Sequence, residues 1–268
     1  MLLFPNCKIN LGLNIVAKRP DGYHDLETVF FPIPLTDVLE AVHGTGQFTS
    51  SGLAINGDPS DNLCIRAYNL LKQDFPQLPP LDIHLHKNIP MGAGLGGGSS
   101  DGAFMLQLLN KKFNLQIPNE KLIDYALQLG SDCPFFIINK PCFATGRGEV
   151  MTPIALDLPN FQLVVVNPGI HVSTREAFAG LTPKQPVKSI NKIIHQPIET
   201  WKDELMNDFE ETIFRIHPHI QAIKEELYNK GAVYASMTGT GSTVYGIFPK
   251  GVAPAFSFNN HFIQWIQL

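Results

Sequence analysis

Thirteen residues, Pro90 to Gly102, read PMGAGLGGGSSDG and hold six glycines and two serines. Glycine lets a backbone approach a ligand closely and adopt conformations that other residues avoid. Between a strand and a helix, such a loop aims main-chain N–H groups and the positive end of the helix dipole at an anion, phosphate above all. Ser99 and Ser100 add hydroxyls that can donate to phosphate or reach a magnesium ion. Phosphoryl transfer needs such a cradle, an oriented acceptor hydroxyl and a group that takes the hydroxyl proton. Asp132, in LGSDCPFF, is the candidate base, and Lys8, in the first strand-like run, is the natural cation to partner it. Taken singly, Asp132 reads equally well as a turn carboxylate before Pro134, and Lys8 as a solvent-facing lysine. Kinase chemistry requires all three parts at once, which is what the sequence offers.

Other uses of the glycines fit less well. Gly92-x-Gly94-x-x-Gly97 formally matches a dinucleotide fingerprint, but the acid expected about 20 residues on, Glu120, opens a helix instead of ending a strand. A Walker loop needs Lys-Ser/Thr after its last glycine, and here Ser99-Ser100 follows. No H-R-D or D-F-G set marks a protein kinase. A flexible linker would not carry Leu95 at its middle or abut strand and helix so tightly.

The elements that must hold these residues can be read from periodicity. CKINLGLNIV and HDLETVFFPI are strand-like runs around an Asp21-Gly22 turn, followed by strand-like text to about Phe48. PSDNLCIRAYNLLKQDF is helical, with Ser60 or Asp61 as N-cap. PLDIHLHKNIP alternates, with Leu81, Ile83 and Leu85 on one face and Asp82, His84 and His86 on a solvated one. Helices follow in DGAFMLQLLNKKF and in NEKLIDYALQLG, the latter capped by Asn119 and stopped by Gly130. CPFFI and CFATGRGEVMTPI read as strands. After a Pro-containing connector at about Asp157 to Asn160, NFQLVVVNPG is a fresh strand. STREAFAGL, IETWKDELMNDFEETIFRI and HIQAIKEELYNKG then read as helices, and AVYASM and STVYGIF as strands around TGTG. The plan is α+β, with lobes expected at 1–157 and 158–268.

Composition bounds the partners. At 268 residues the chain exceeds the size at which one core tends to split, about 250 residues. A net charge of −4, with 20 basic and 24 acidic side chains and no basic run, leaves no electrostatic footprint for nucleic acid. Cys7, Cys64, Cys133 and Cys142 lack zinc or disulfide spacing, and no apolar run approaches the roughly 18 residues of a membrane span. MLLFPNCKINLGL has no basic leader region, so a cytoplasmic protein with reduced thiols is expected.

NCKINLGLNI, PMGAGLGGGSS, GSDCPFF and MTGTGSTVYGIF, in this order from about Pro5 to Phe248, resemble the motifs of the GHMP small-molecule kinases. More narrowly, KINLGL followed by RPDGYHDLET resembles the branch that acts on a cytidine diphosphate-linked methylerythritol in the non-mevalonate isoprenoid pathway. The resemblance implies a two-lobed GHMP kinase fold, with an N-terminal lobe like domain 2 of ribosomal protein S5 and a ferredoxin-like α+β C-terminal lobe. It implies ATP and Mg2+ as cofactors, with the Mg2+ ligands left open. It puts Lys8 and Asp132 at the transferring phosphoryl group and Asn10 beside them as a positioning group. It gives Asn62 to adenine, though a helix-cap role serves Asn62 equally, and it gives the loop Pro90, Met91, Gly92, Ala93, Gly94, Leu95, Gly96, Gly97, Gly98, Ser99 and Ser100 to the nucleotide phosphates. Tyr23 and His24 are implied to recognise cytosine, Phe178 to stack on it with Thr174 adjacent, and Gly239 and Gly241 to meet the substrate diphosphate.

Two positions depart from the family pattern. Asp101 stands where asparagine is more frequent, placing a carboxylate in the first helical turn near the phosphates, and Arg147 lies between the glycines of TGRGE. A homoserine- or mevalonate-type kinase would share the loop and lack the Tyr-His pair. A non-catalytic binder on the same fold would have no use for Lys8 with Asp132.

Overall fold

Alternation at Leu81, Ile83 and Leu85 builds the strand that leads into the glycine loop, and the apolar run Leu163–Val166 builds a strand buried on both faces. The structure is a computed structural model that describes residues 1–55, 57–258 and 260–268. Along the chain run β1 (Leu2–Leu3), β2 (Asn6–Lys18), β3 (His24–Thr36), β4 (Val38–His43), β5 (Phe48–Gly52), α1 (Leu63–Asp74) and β6 (Leu81–Lys87). Next come α2 (Gly97–Lys112), α3 (Asn119–Leu129), α4 (Cys133–Ile138), β7 (Cys142–Thr145), β8 (Val150–Pro153) and β9 (Phe161–Asn167). Then follow α5 (Thr174–Phe178), α6 (Ile190–Ile193), α7 (Trp201–Glu204), α8 (Phe209–Ile216), α9 (Pro218–Asn229), β10 (Tyr234–Met237), β11 (Val244–Pro249) and β12 (Phe262–Gln267).

The chain forms two compact units, each assembled from separate segments. The first comprises Met1–Cys7, Leu35–Met91 and Gly96–Lys140; the second comprises Lys8–Pro34, Gly92–Leu95 and Pro141–Leu268. The lobe boundary expected after residue 157 falls inside the second unit, between β8 and β9. In the first unit a four-stranded sheet in the order β1-β4-β6-β5 packs with α2, which in turn packs against α1, α3 and α4. Its β6 turns Leu81, Ile83, Leu85 and Lys87 inward, so an amine ends an otherwise apolar row.

The second unit holds two sheets, β2-β3-β7-β8 and β10-β11-β9-β12. β9 is paired on both sides, Val166 lying opposite Val244 on β11 and Ile263 on β12. A core of Leu13, Ile15, Val164, Val166, Phe209, Ile213, Ile223 and Leu227 fills this unit. Among the described residues no helix is long and apolar enough to cross a membrane.

Several elements differ from the sequence expectation. CPFFI, expected as a strand, is the helix α4. A short apolar run has no period to separate strand from buried helix, and here Pro134 sits in a first helical turn, where its missing N–H costs nothing. The cap of α1 is Asn62, not Ser60 or Asp61; its Oδ1 accepts from Cys64 N at 2.9 Å, and residues 59–61 form a 3-10 turn of their own. Asn119 is the first residue of α3 and not its cap. The helix expected over 198–216 is broken between α7 and α8, where Asn207 Nδ2 donates to the carbonyls of Met237 at 2.7 Å and Gly239 at 2.9 Å. β12 lies in text that carried no strand expectation.

Candidate active site

The glycine loop leaves β6 and enters α2, which begins at Gly97, earlier than periodicity alone suggested. Gly92, Gly94 and Gly96 have φ of +61°, +77° and +70°, which side chains rarely adopt. At Gly94 the need is double, because a Cβ there would collide with the Thr238 carbonyl oxygen. Ala93 and Leu95 are buried anchors, and Leu95 O accepts from Lys8 N at 3.0 Å. The segment is therefore pinned and not a linker. Gly96 caps α2 in the left-handed region without a side chain, which leaves first-turn N–H groups for a ligand. A Cβ on Gly98 would meet open space, so the backbone there is approachable. Ser99 hydrogen-bonds the Cys133 thiol, and the Ser100 hydroxyl is buried with no partner among the described residues.

Within the first unit a cleft of about 240 Å3 opens beside this helix start, lined by Asp58, Asn62, Leu63, Lys87, Met91, Gly98 and Asp101 among others. Asn62 thus faces the cleft while its Oδ1 caps α1, so both of its readings describe the same residue. A larger cleft of about 820 Å3 in the second unit, lined by Asn14, Lys184, Lys188 and Asp208 among others, contains none of the expected site residues. The residues, and not the volume, select the site.

Lys8 is not solvent-facing. It is 3% exposed, and its Nζ donates to Asn10 Oδ1 at 2.7 Å and to the Gly94 carbonyl at 3.2 Å, 5.0 Å from the centroid of Phe30. Asn10 Nδ2 donates to Thr28 Oγ1 at 2.9 Å, and Thr28 donates to the Gly12 carbonyl at 2.5 Å. Thr238 Oγ1 accepts from Asn10 N at 3.0 Å, and its one hydroxyl proton can go to Gly94 O at 3.0 Å or to Asn10 Oδ1 at 3.2 Å. Thr238 was not singled out in the sequence, although it precedes Gly239 in MTGTG. Its neighbours Gly239 and Gly241 also have positive φ, and a Cβ on Gly239 would come within 3.1 Å of the Gly94 Cα. The two glycine segments of the second unit are thus in van der Waals contact, joined by Thr238. Asp132 belongs to the first unit, at the N-cap position of α4, and its side chain does not cap that helix.

A second cluster lies further along the second unit. His24 stacks on Phe178, with ring centroids 4.5 Å apart and planes at 22°, and Phe178 meets Phe209 edge-on at 4.9 Å. Burial, and after it Lys18, holds the His24 imidazole below the usual histidine value, favouring the neutral ring. Tyr23 is exposed and faces a different partner, the Arg147 guanidinium 4.9 Å from its ring centroid. Arg147 also pairs with Glu149 at 3.4 Å. Thr174 is exposed at the first position of α5, which Ser173 caps by accepting from Glu176 N at 3.2 Å. Tyr23, His24, Thr174 and Phe178 therefore share one unit, with His24 and Phe178 in direct contact.

Residues 62–140 match the model of the GHMP kinase N-terminal domain and residues 189–258 that of the GHMP kinase C-terminal domain. A 4-diphosphocytidyl-2-C-methyl-D-erythritol kinase of Bacteroides fragilis is 56% identical over 253 residues, covering 92% of each chain. One of Azobacteroides pseudotrichonymphae is 54% identical over 261 residues, covering 97% of each. A crystal structure of 4-(cytidine 5'-diphospho)-2C-methyl-D-erythritol kinase superposes with a TM-score of 0.80 at 31% identity, over 92% of this chain and 89% of that one. The mevalonate kinase of Methanococcus jannaschii, at 14% identity and a TM-score of 0.71, covering 100% of this chain and 98% of that one, shares the fold alone. With more than half its residues identical to such relatives over nearly the full length of both, the chain belongs to the GHMP kinases, in the branch of the 4-diphosphocytidyl-2-C-methyl-D-erythritol kinases.

Proposed function

We propose that the protein transfers the γ-phosphoryl group of ATP to the 2-hydroxyl of 4-diphosphocytidyl-2-C-methyl-D-erythritol. The observation that carries this reading is the buried Lys8 ammonium, held by Asn10 and by a carbonyl of the glycine loop. An ammonium fixed in this way is placed to stabilise charge that develops on a transferring phosphoryl group. The hydroxyl oxygen forms a bond to the γ-phosphorus, the bond to the ADP oxygen breaks, and Asp132 takes the hydroxyl proton. Lys8 compensates the charge on the transferring group, and Asn10 and Thr238 fix the position of Lys8. First-turn N–H groups of α2 and the loop backbone hold the nucleotide phosphates. Ser100 fits a magnesium site, since its hydroxyl is buried without a partner among the described residues at the start of that helix. Mg2+ supplies neutralisation of phosphate charge when bound, with few protein ligands.

Recognition of the cytidine end rests on His24 and Phe178, with Tyr23 and Thr174 beside them, and the diphosphate is assigned to Gly239 and Gly241. We assign residues 1–157 to nucleotide binding and catalysis, with Tyr23 and His24 reaching the cytidine from this segment, and residues 158–268 to the rest of substrate binding, with the reaction in the cytoplasm. A homoserine or mevalonate substrate would make no use of the His24–Phe178 pair. The test is phosphorus NMR of the product of the cytidine-linked acceptor and ATP. A new phosphomonoester resonance with the diphosphate intact supports the reading, and ADP formation without that resonance contradicts it.

A further inference from the structure

Asp101 is the residue of the glycine-loop helix that a phosphate site should least tolerate. Its surroundings give it a use. Lys87, at the end of β6, is 2% exposed; its Nζ donates to Asp101 Oδ2 at 2.7 Å and also to Asp37 Oδ2. Asp37 lies between β3 and β4 and is wholly buried, and its Oδ1 accepts from Asn88 N at 2.6 Å and Ile89 N at 2.9 Å. The cluster thus grips the segment 87–89 that leads into the glycine loop and, through Asp101, the second turn of the helix that leaves it; the sequence expectation of a carboxylate in the first turn is not met, because α2 begins at Gly97. Gly97 makes room for this, since a Cβ there would sit 2.8 Å from Ile89 Cγ2 and 3.4 Å from Lys87 Nζ.

We propose that Asp101 and Asp37, bridged by Lys87, are positioning residues for the nucleotide: they hold the two ends of the phosphate loop in register so that its N–H groups converge. The proposal rests on the kinase reading above. Two carboxylates on one buried ammonium leave a net negative charge out of water, which a single added proton removes. Asp101 is the carboxyl that burial first, and then Asp37, push upward, with Lys87 opposing them, and its Oδ1 has no donor among the described residues, which makes it the place for that proton. Other ionisable groups near it are the Cys64 thiol of α1, itself raised by burial and by Asp101, and the carboxylates of Asp58 and Asp61, which line the same cleft. A protonated Asp101 adds no charge beside the phosphates. Because its carboxyl is raised in the folded protein, the stability of the clamp is present at low pH and is lost as pH rises through that raised value.

The experiment is calorimetric titration of a non-hydrolysable ATP analogue into the unaltered protein, Asp101→Ala and Asp101→Asn, beside KM for the acceptor. Asp101→Ala is expected to weaken nucleotide binding about tenfold, while Asp101→Asn, a mimic of the neutral acid, recovers most of that loss and acceptor KM stays within about twofold. Affinity of the unaltered protein is expected to fall from neutral pH to about pH 9, and that of Asp101→Asn to stay level, which keeps the test open should Asp101→Ala not fold. Unchanged affinity in Asp101→Ala, a level pH profile in the unaltered protein, or acceptor KM moving in step with nucleotide affinity overturns the inference. Absence of nucleotide binding to the unaltered protein overturns the kinase reading and this inference with it.

Discussion

At the scale of the residue, the account rests on a few side chains whose removal has distinct signatures. Asp132→Asn is expected to keep nucleotide affinity and lower kcat by about 10²–10⁴, the range for a general base; calorimetry beside steady-state rates checks it. Gly94→Ala should fold poorly or lose nucleotide binding, because it brings both a φ of +77° and a collision with Thr238 O, and a thermal melt with nucleotide titration reads both. His24→Ala should accept uridine- and cytidine-linked acceptors alike, and retained discrimination contradicts the assigned role. Because His24 is held below the usual histidine value of about 6.5, acceptor affinity should be level above neutral pH and decline only on acidification below that value. The glycine loop, Lys8 and Asp132 stood out as candidates because their types and spacing carry chemistry, whereas Tyr23 and His24 were singled out through the family resemblance. Thr238 and the Asp37–Lys87 pair were not, since their roles come from contacts with Gly94 and Asp101, residues remote in sequence.

At the scale of the element, strands with clean alternation were readable and short apolar runs were not. β6 shows period-2 alternation, whereas CPFFI, buried at Cys133, Pro134, Phe135 and Phe136, has no polar face to reveal its period. The region 198–216 keeps helical periodicity through its break, where Asn207 bonds the carbonyls of Met237 and Gly239 and no helix-breaking residue type marks the interruption. Asn207→Ala leaves the carbonyls of Met237 and Gly239 without these donors, at a cost of about 1–3 kcal/mol for a buried unsatisfied group. Urea unfolding should register that loss, and a change below about 0.5 kcal/mol would remove Asn207 from the support of the MTGTG turn.

At the scale of the whole molecule, the α+β class and the two-lobed family were legible from motif order, but the composition of the compact units was not. Segments 92–95 and 8–34 group with the C-terminal half of the chain through long-range hydrogen bonds, such as Tyr245 to Asn10 O at 2.7 Å, that no local pattern announces. A protein that binds nucleotide only when folded should melt later in its presence, by about 2.7 kcal/mol of added stability at a hundredfold excess over Kd. The central claim is the identity of the acceptor. ADP release should be measured with 4-diphosphocytidyl-2-C-methyl-D-erythritol and, in parallel, with the free polyol, homoserine and mevalonate. ATP-dependent turnover with the cytidine-linked acceptor alone is the predicted result, and equal or faster turnover with any of the other three would contradict the account.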